Sequence, residues 1–295
     1  MKRLSTAAVV LAVIVAGCIY FRPLAVFDAV RGVWLLAHGF RGETVTVGGR
    51  RIHFISGGEG PPLVAIHGLA SRSDDWAPLL PALAKSHRVY ALDLLGYGGS
   101  DRPRDGDYSI AAETEIVRRF LDAEQIRQAD VVAVSMGGWI ALRLAAEHPE
   151  RVRRLVLFDS AGFSFPTTLK AASFAPRNVA EVRRLIALQT DRGGMLPAFV
   201  LRDFLRVNRE HAWLLETQMR SMLSGRDVMD GKVANVSMPV LLLWGTRDRM
   251  VPLETGRRMQ RELPHAKLVE LPGCGHLAVV ECRAAALPSV EEFLH

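Results

Sequence analysis

From residue 43 onward, short apolar runs alternate with longer segments whose apolar residues recur at helical spacing. The runs at 44–47 and 51–56 alternate apolar and polar residues around Gly48-Gly49, which predicts a β-hairpin with one solvated face. Six further runs predict strands, at 62–68, 87–94, 129–135, 152–160, 239–245 and 267–273. The continuous apolar run at 62–68 suggests a strand buried on both faces, and the runs at 152–160 and 239–245 also suggest buried strands.

Helical segments follow most of these runs. Asp74 can cap a helix that reaches about residue 85, and Ser109 can start one that reaches about residue 124. Further helices are predicted at 138–147, at 253–263 and near the end of the chain, as far as Leu294. Repeated strand–helix alternation implies right-handed crossovers, so we expect an α/β fold whose mostly parallel sheet carries helices on both faces.

One segment, 162–236, interrupts the alternation of strands and helices because it contains no predicted strand. Its helical stretches are separated by Gly193-Gly194 and Gly225, and they span 179–190, 197–208 and 212–223. A span of this length between two sheet strands is far longer than an ordinary connection. We therefore predict an inserted helical cap at 162–236, between a first core part at 41–161 and a second at 237–295.

Residues 1–40 differ from the rest of the chain. An uncharged 18-residue stretch, Leu4 to Phe21, follows Lys2 and Arg3, and its length is near the minimum for a membrane span. A signal peptide has the same features, and the sequence ending at Cys18 resembles a bacterial lipobox, whose cysteine is lipidated. We favour an uncleaved N-terminal membrane anchor; the alternative is a lipoprotein lipidated at Cys18.

The segment after the anchor predicts an amphipathic helix. Pro23 suits a first helical position and Gly39 the residue just past the end. The rest is apolar except for one narrow polar stripe, formed by Asp28, Arg31 and His38. Such a helix either lies on a membrane surface or packs under the folded domain.

Composition and charge limit the classes of binding partner that the sequence predicts. Of the 295 residues, 49% are hydrophobic and 23% charged, which suits a folded chain with a sizeable core. The net charge of +6 is concentrated in residues 1–51, which hold seven basic and two acidic residues. Basic residues beside an apolar N-terminus favour an anionic membrane surface, and no nucleic-acid partner is predicted. The three cysteines suggest neither a disulfide framework nor a zinc site, so we expect no metal and no cofactor.

The sequence VVAVSMGGW at 131–139 places Ser135 where a predicted strand runs into a helix. A nucleophile exposed by such a sharp turn needs small residues two positions before and after it. Gly137 meets this requirement, whereas Ala133 stands where glycine is more usual. Serine in a plain turn is the alternative interpretation.

A nucleophilic serine needs a histidine base and a carboxylate that orients the base. Asp248 follows the run at 239–245, and His276 follows the run at 267–273, in the chain order expected for this architecture. Asp159 also ends a strand and is an alternative acid. Two backbone N–H groups must bind the oxyanion, and we nominate those of Leu69 and Met136.

Taken together, the segments that carry this chemistry resemble those of the α/β-hydrolase family. They are HG at 67–68, DLLGYGGSD at 93–101, SMGG at 135–138, GTRDRMVP at 245–252 and GCGH at 273–276. The resemblance covers roughly residues 43–294. It implies an eight-stranded sheet with a helical cap over the site, and a catalytic triad at Ser135, Asp248 and His276. Ala133 and the pair Leu94-Leu95 depart from the usual pattern.

The cap is rich in large apolar residues, which favours a substrate with an acyl chain. In its anchor, the length of its cap and its motifs, the chain resembles the membrane-bound monoacylglycerol lipase branch of the family. This resemblance implies hydrolysis of lipid monoesters through an acyl-enzyme. Alternatives are a C–C bond hydrolase of aromatic degradation and a low-turnover ligand receptor, although Leu277 replaces the aromatic residue expected after the histidine of the former. The expected substrate contacts are Phe163, Phe165, Leu196 and Phe199.

Overall fold

The computed structural model describes residues 6–191 and 196–295, with side chains in the first helix described at residue 8 and from residue 13 onward. Lys2, Arg3 and the pair Gly193-Gly194 therefore lie outside the described residues, as does the start of the apolar stretch. The centre of the fold is one eight-stranded sheet with the order β1-β2-β4-β3-β5-β6-β7-β8. Its strands are β1 (Arg41–Val47), β2 (Arg50–Gly57), β3 (Pro62–Ile66), β4 (Arg88–Leu92), β5 (Ala129–Val134), β6 (Val152–Phe158), β7 (Val240–Gly245) and β8 (Ala266–Leu271).

Antiparallel pairing is confined to the β1 edge of the sheet. The hairpin β1–β2 pairs antiparallel, β2 pairs antiparallel with β4, and the remaining strands pair in parallel. Strands β5 and β7 are buried along their whole length, as their continuous apolar runs predict. The predicted α/β class with a mostly parallel eight-stranded sheet is confirmed.

Helices cover both faces of this sheet, and two apolar clusters, one on each face, make up the core. The helices are α1 (Thr6–Phe21), α2 (Pro23–Ala37), α3 (Leu80–Leu83), α4 (Ile110–Ala123), α5 (Met136–Glu147), α6 (Val179–Gln189), α7 (Ala198–Leu223), α8 (Leu253–Glu262), α9 (Ala278–Glu281) and α10 (Arg283–Leu294). The predicted start at Ser109 is confirmed, because the Ser109 side chain accepts a hydrogen bond from the backbone N–H of Ala112.

Two helix predictions were wrong. The expected pair of helices at 197–208 and 212–223 is one continuous 26-residue helix, α7. The polar residues between them lack glycine and proline, and an Arg206–Glu210 ion pair one turn apart spans the supposed break. The helix expected from Asp74 to residue 85 is instead a short 3₁₀ turn, Ser73–Trp76, followed by the single turn α3.

The second helix packs on the folded domain. Leu35 of this helix and Phe40 just after it are buried in the core, and the Arg31 guanidinium forms ion pairs with Asp74 and Asp75 of the 3₁₀ turn. Among the described residues, no helix alone has the length and apolar composition to cross a membrane. The pair Val13–Phe21 and Pro23–Ala37 meets both criteria together, with a bend of 106° between its halves.

Candidate active site

Ser135 alone forms the turn between strand β5 and helix α5. Its φ of 53° and ψ of −118° lie in a region that non-glycine residues rarely adopt, at a cost of about 1–3 kcal/mol. The surrounding backbone holds it there, because the Ser135 N–H donates to the Phe158 carbonyl and the Ser135 carbonyl accepts from the Ala161 N–H. A strained turn of this kind presents the hydroxyl above the carboxyl edge of the sheet.

Small residues after the serine are a steric requirement. A methyl group on Gly137 would lie 2.4 Å from the carbonyl oxygens of Ile66 and His67, and one on Gly138 would lie 2.3 Å from the Ser160 hydroxyl. Ala133, two residues before the serine, is fully buried within β5.

We expect Gly137→Ala to abolish activity and to lower the melting temperature, because backbone carbonyls cannot move away from the new methyl group. The matched control is Gly32→Ala, also within a helix, where nothing lies within 4 Å of the new methyl. That change should be neutral or stabilise the protein by up to about 1 kcal/mol. A fully active, normally stable Gly137→Ala protein would contradict this account of the turn.

The structure brings Ser135, Asp248 and His276 together from three separate loops. Nε2 of His276 lies 2.8 Å from Oγ of Ser135, and Nδ1 of His276 lies 2.8 Å from Oδ2 of Asp248. Asp248 and His276 are buried, so little water competes for these bonds. This arrangement can transfer the serine proton to the imidazole and stabilise the resulting imidazolium.

Asp248 is held in place by its own loop. Its Oδ1 accepts hydrogen bonds from the backbone N–H groups of Met250 and Val251, at 2.7 and 2.9 Å. The other oxygen is thereby left directed at His276.

Asp159, the alternative acid, does not contact His276. Its carboxyl group accepts from the backbone N–H groups of Gly245 and Ala278, so it connects the loop of Asp248 to the loop of His276. Complete burial raises the pKa of Asp159 well above its usual range, and the neighbouring Asp248 carboxylate raises it further. Its two hydrogen bonds therefore support a role in bracing both loops and not in orienting the histidine.

The nominated oxyanion donors adjoin the serine. Within the described part of the chain, neither the Leu69 nor the Met136 N–H has a hydrogen-bond partner. Gly68 approaches Ser135 so closely that a methyl group on it would lie 3.2 Å from Cβ of the serine. Both N–H groups are thus free to bind a ligand beside Ser135.

His67 orients one of these donors. The backbone N–H of Leu94 donates to its Nε2, so the ring proton resides on Nδ1, which lies 2.7 Å from the Gly68 carbonyl oxygen. Burial lowers the pKa of His67, which keeps the ring neutral. In a trans peptide the C=O and N–H point in opposite directions, so holding the Gly68 carbonyl also sets the direction of the Leu69 N–H.

A largely apolar cavity of about 890 Å³ opens from the serine. Ser135, His276 and Leu69 line it at one end, and Phe27, Val30 and Trp34 of α2 line it elsewhere. Of the expected substrate contacts, Phe163 and Phe165 line the cavity. Leu196 and Phe199 are outside its lining; Phe199 instead stacks on Tyr20 of α1, with ring centroids 5.6 Å apart.

The sequence analysis missed a disulfide between Cys274 and Cys282. This bond closes the segment that carries His276, from the end of β8 to the start of α10. Cys18 is free and exposed. The only sequence signal was the spacing of the two cysteines around the histidine, and that spacing matches no pattern specific to disulfides.

Comparisons with known proteins agree with this geometry. The profile described as "Alpha/beta hydrolase family" matches residues 63–287. A 2-hydroxymuconate semialdehyde hydrolase of Pseudomonas sp. (strain CF600) is 34% identical, over 86% of this chain and 93% of its own. A solved membrane phospholipase A is 29% identical with a TM-score of 0.84, over 100% of this chain and 98% of its own. A meta-cleavage product hydrolase from Pseudomonas fluorescens IP01 is 25% identical with a TM-score of 0.76, over 86% and 97%.

Proposed function

The chain belongs to the alpha/beta hydrolase family, and on that premise we propose that it is a serine hydrolase of carboxylic esters with one acyl chain, such as monoacylglycerols. His276 accepts the Ser135 proton while the serine oxygen attacks the ester carbonyl. The N–H groups of Leu69 and Met136 bind the oxyanion that forms. His276 then protonates the departing alcohol, and water, deprotonated by His276, releases the acid from the acyl-enzyme.

The observation that carries this proposal is the apolar lining of the cavity at Ser135. Within the described residues, its lining includes two guanidinium groups. Arg31 is paired with Asp28, Asp74 and Asp75, whereas Arg283 is exposed and donates one hydrogen bond to the Pro78 carbonyl. The rest of the lining is mostly apolar, so a neutral acyl chain suits it better than a carboxylate, which would lose its hydration there.

A second candidate is a C–C bond hydrolase of aromatic degradation. The similarity to the 2-hydroxymuconate semialdehyde hydrolase favours it, and the same three residues would serve that reaction. The similarity to the membrane phospholipase A favours the ester hydrolase and extends over the N-terminal helices as well.

The dependence of activity on the length of the substrate's acyl chain distinguishes these candidates. We expect kcat/KM to rise from acetyl to octanoyl p-nitrophenyl esters, because each methylene buried in the cavity contributes about 0.8 kcal/mol. Monoacylglycerol should be a better substrate than the matching triacylglycerol, since one acyl chain enters the cavity. Preference for acetyl esters or for triacylglycerol would exclude the monoester proposal. Efficient cleavage of a dienoate C–C substrate, with poor ester hydrolysis, would establish the second candidate.

We further propose that the protein is held at a membrane by α1, the uncleaved anchor. Val13, Ile14 and Phe21 are exposed on α1, and Phe27 and Val30 are exposed on α2 while also lining the cavity. An acyl chain leaving a bilayer at α2 would therefore meet the cavity directly. The Cys274–Cys282 disulfide supports a location of the catalytic part outside the reducing cytoplasm.

Deleting residues 1–21 should release the protein from the membrane fraction and leave the hydrolysis of soluble short esters intact. A deletion of residues 1–40 is the contrast, because it also removes the Arg31 ion pairs and the buried side chains of Leu35 and Phe40. That longer deletion should lower stability. Membrane retention of the 1–21 deletion would contradict the anchor.

Thiol alkylation followed by mass spectrometry tests both the location and the lipoprotein alternative. Cys274 and Cys282 are buried, so the protein is denatured before alkylation. They should then react only after reduction, and Cys18 should react without it. Reactive Cys274 and Cys282 in cells lysed into denaturant without a reductant would contradict the location. Acylated Cys18 at a new N-terminus, lost in Cys18→Ser, would establish the lipoprotein.

A further inference from the structure

One buried polar contact joins the cap to the core beside the active site. Tyr97, in the loop after β4, donates its hydroxyl proton to Oε1 of Gln218 on α7. Tyr97 is almost completely buried and Gln218 completely so. None of the chemical steps above uses either residue.

Tyr97 contacts the histidine that precedes the turn carrying Leu69. Its ring packs edge-to-face on His67, with centroids 5.0 Å apart. Nδ1 of His67 in turn lies 2.7 Å from the Gly68 carbonyl oxygen, which belongs to the same peptide as the Leu69 N–H. Burial raises the pKa of Tyr97 far above the physiological range, so its hydroxyl remains a proton donor to Gln218.

That turn needs outside support. Ala70 has a φ of +61°, a conformation that costs a residue with a Cβ atom about 1 kcal/mol or more. The Leu69 N–H, unlike that of Met136, does not lie at the start of a helix. Contacts that hold His67, and through it the Gly68 carbonyl, therefore hold the Leu69 N–H in place.

Gln218 connects this turn to the substrate cavity. Met219 and Met222, its neighbours on α7, line the same cavity as Ser135. Nε2 of Gln218 is buried without a hydrogen-bond partner in the described residues. A half-satisfied buried amide costs stability relative to an apolar residue, so stability alone gives no reason for glutamine here.

We propose that Tyr97 and Gln218 are a positioning pair, through which helix α7 of the cap holds the oxyanion turn in its active geometry. The proposal rests on the acyl-enzyme chemistry at Ser135. It concerns the transition state, so it predicts an effect on kcat and not on substrate binding.

Three variants test the pair: Tyr97→Phe, Gln218→Met and the double variant. Each single change should lower kcat for the octanoyl ester by about tenfold, less than the 10²–10³ typical for complete loss of an oxyanion donor. KM should stay within about twofold, because the cavity is unchanged. Affinity for an alkyl boronic acid, which forms a tetrahedral adduct on the serine, should fall by the same factor as kcat.

The double variant separates positioning from stability. It leaves neither partner unsatisfied, so its melting temperature should equal or exceed that of the parent while kcat stays about tenfold lower. The effects of the two single substitutions on kcat should not be additive. Tyr108→Phe is the matched control, because Tyr108 also contacts α7, through Trp213, but its hydroxyl donates to Pro103 away from the turn. That control should retain parental kcat.

Unchanged kcat in Tyr97→Phe, an equal loss in Tyr108→Phe, or recovery of kcat together with stability in the double variant would each overturn the pairing. These results differ from a failure of the proposed function. In that case the parent itself would show no Ser135-dependent ester hydrolysis, before any variant is compared.

Discussion

Replacing Ser135 with alanine is expected to lower ester hydrolysis by about 10⁶-fold and to abolish labelling by a fluorophosphonate probe. The alanine removes the only atom that forms the acyl-enzyme and leaves the φ of 53° at the turn in place. Far-ultraviolet circular dichroism and the melting temperature should therefore stay close to those of the parent. Turnover and labelling are measured on the same preparation.

Labelling that persists in Ser135→Ala would mean that another residue is the nucleophile, and the proposed chemistry would be wrong. Ser160 is the matched control: its hydroxyl is fully buried near the turn and donates to the Ala161 carbonyl. Because it does not reach the cavity lining, Ser160→Ala should keep both labelling and turnover.

Asp248→Asn is expected to lower turnover by about 10⁴-fold. The amide keeps the shape of the carboxylate but loses its charge, so the imidazolium of His276 is no longer stabilised. The N–H groups of Met250 and Val251 also favour an acceptor at this position, which directs the new NH₂ toward Nδ1 of His276. The histidine is then held in the tautomer that cannot accept the serine proton.

Asp159→Asn is the variant to compare with Asp248→Asn. Burial and the Asp248 carboxylate raise the pKa of Asp159 well above its usual range. Asp159 does not contact His276, so the substitution leaves the Asp248–His276 hydrogen bond in place. It does place an NH₂ group against one of two backbone donors, from Gly245 or Ala278, which costs about 1–3 kcal/mol of stability. Turnover should fall far less than in Asp248→Asn. A larger loss in Asp159→Asn would make Asp159 the catalytic acid.

The sequence by itself determined the fold and the three chemical groups. Continuous apolar runs specify strands buried on both faces, and their alternation with helices leaves few topologies other than a parallel sheet. Ser135, Asp248 and His276 each follow such a run, and the carboxyl ends of parallel strands meet at one edge. Motifs and chain order therefore sufficed to predict which side chains meet, because local pattern fixes where each strand ends.

Only the tertiary structure decided the features that depend on contacts between distant segments. Periodicity cannot show that α2 packs on the domain through Arg31, or that Phe199 stacks on Tyr20 and not in the cavity. The Cys274–Cys282 bond and the Tyr97–Gln218 contact join residues whose approach is set by packing of whole elements. Sequence spacing carries no information on such distances, because many backbone paths connect the same residues; the folded core selects one of them.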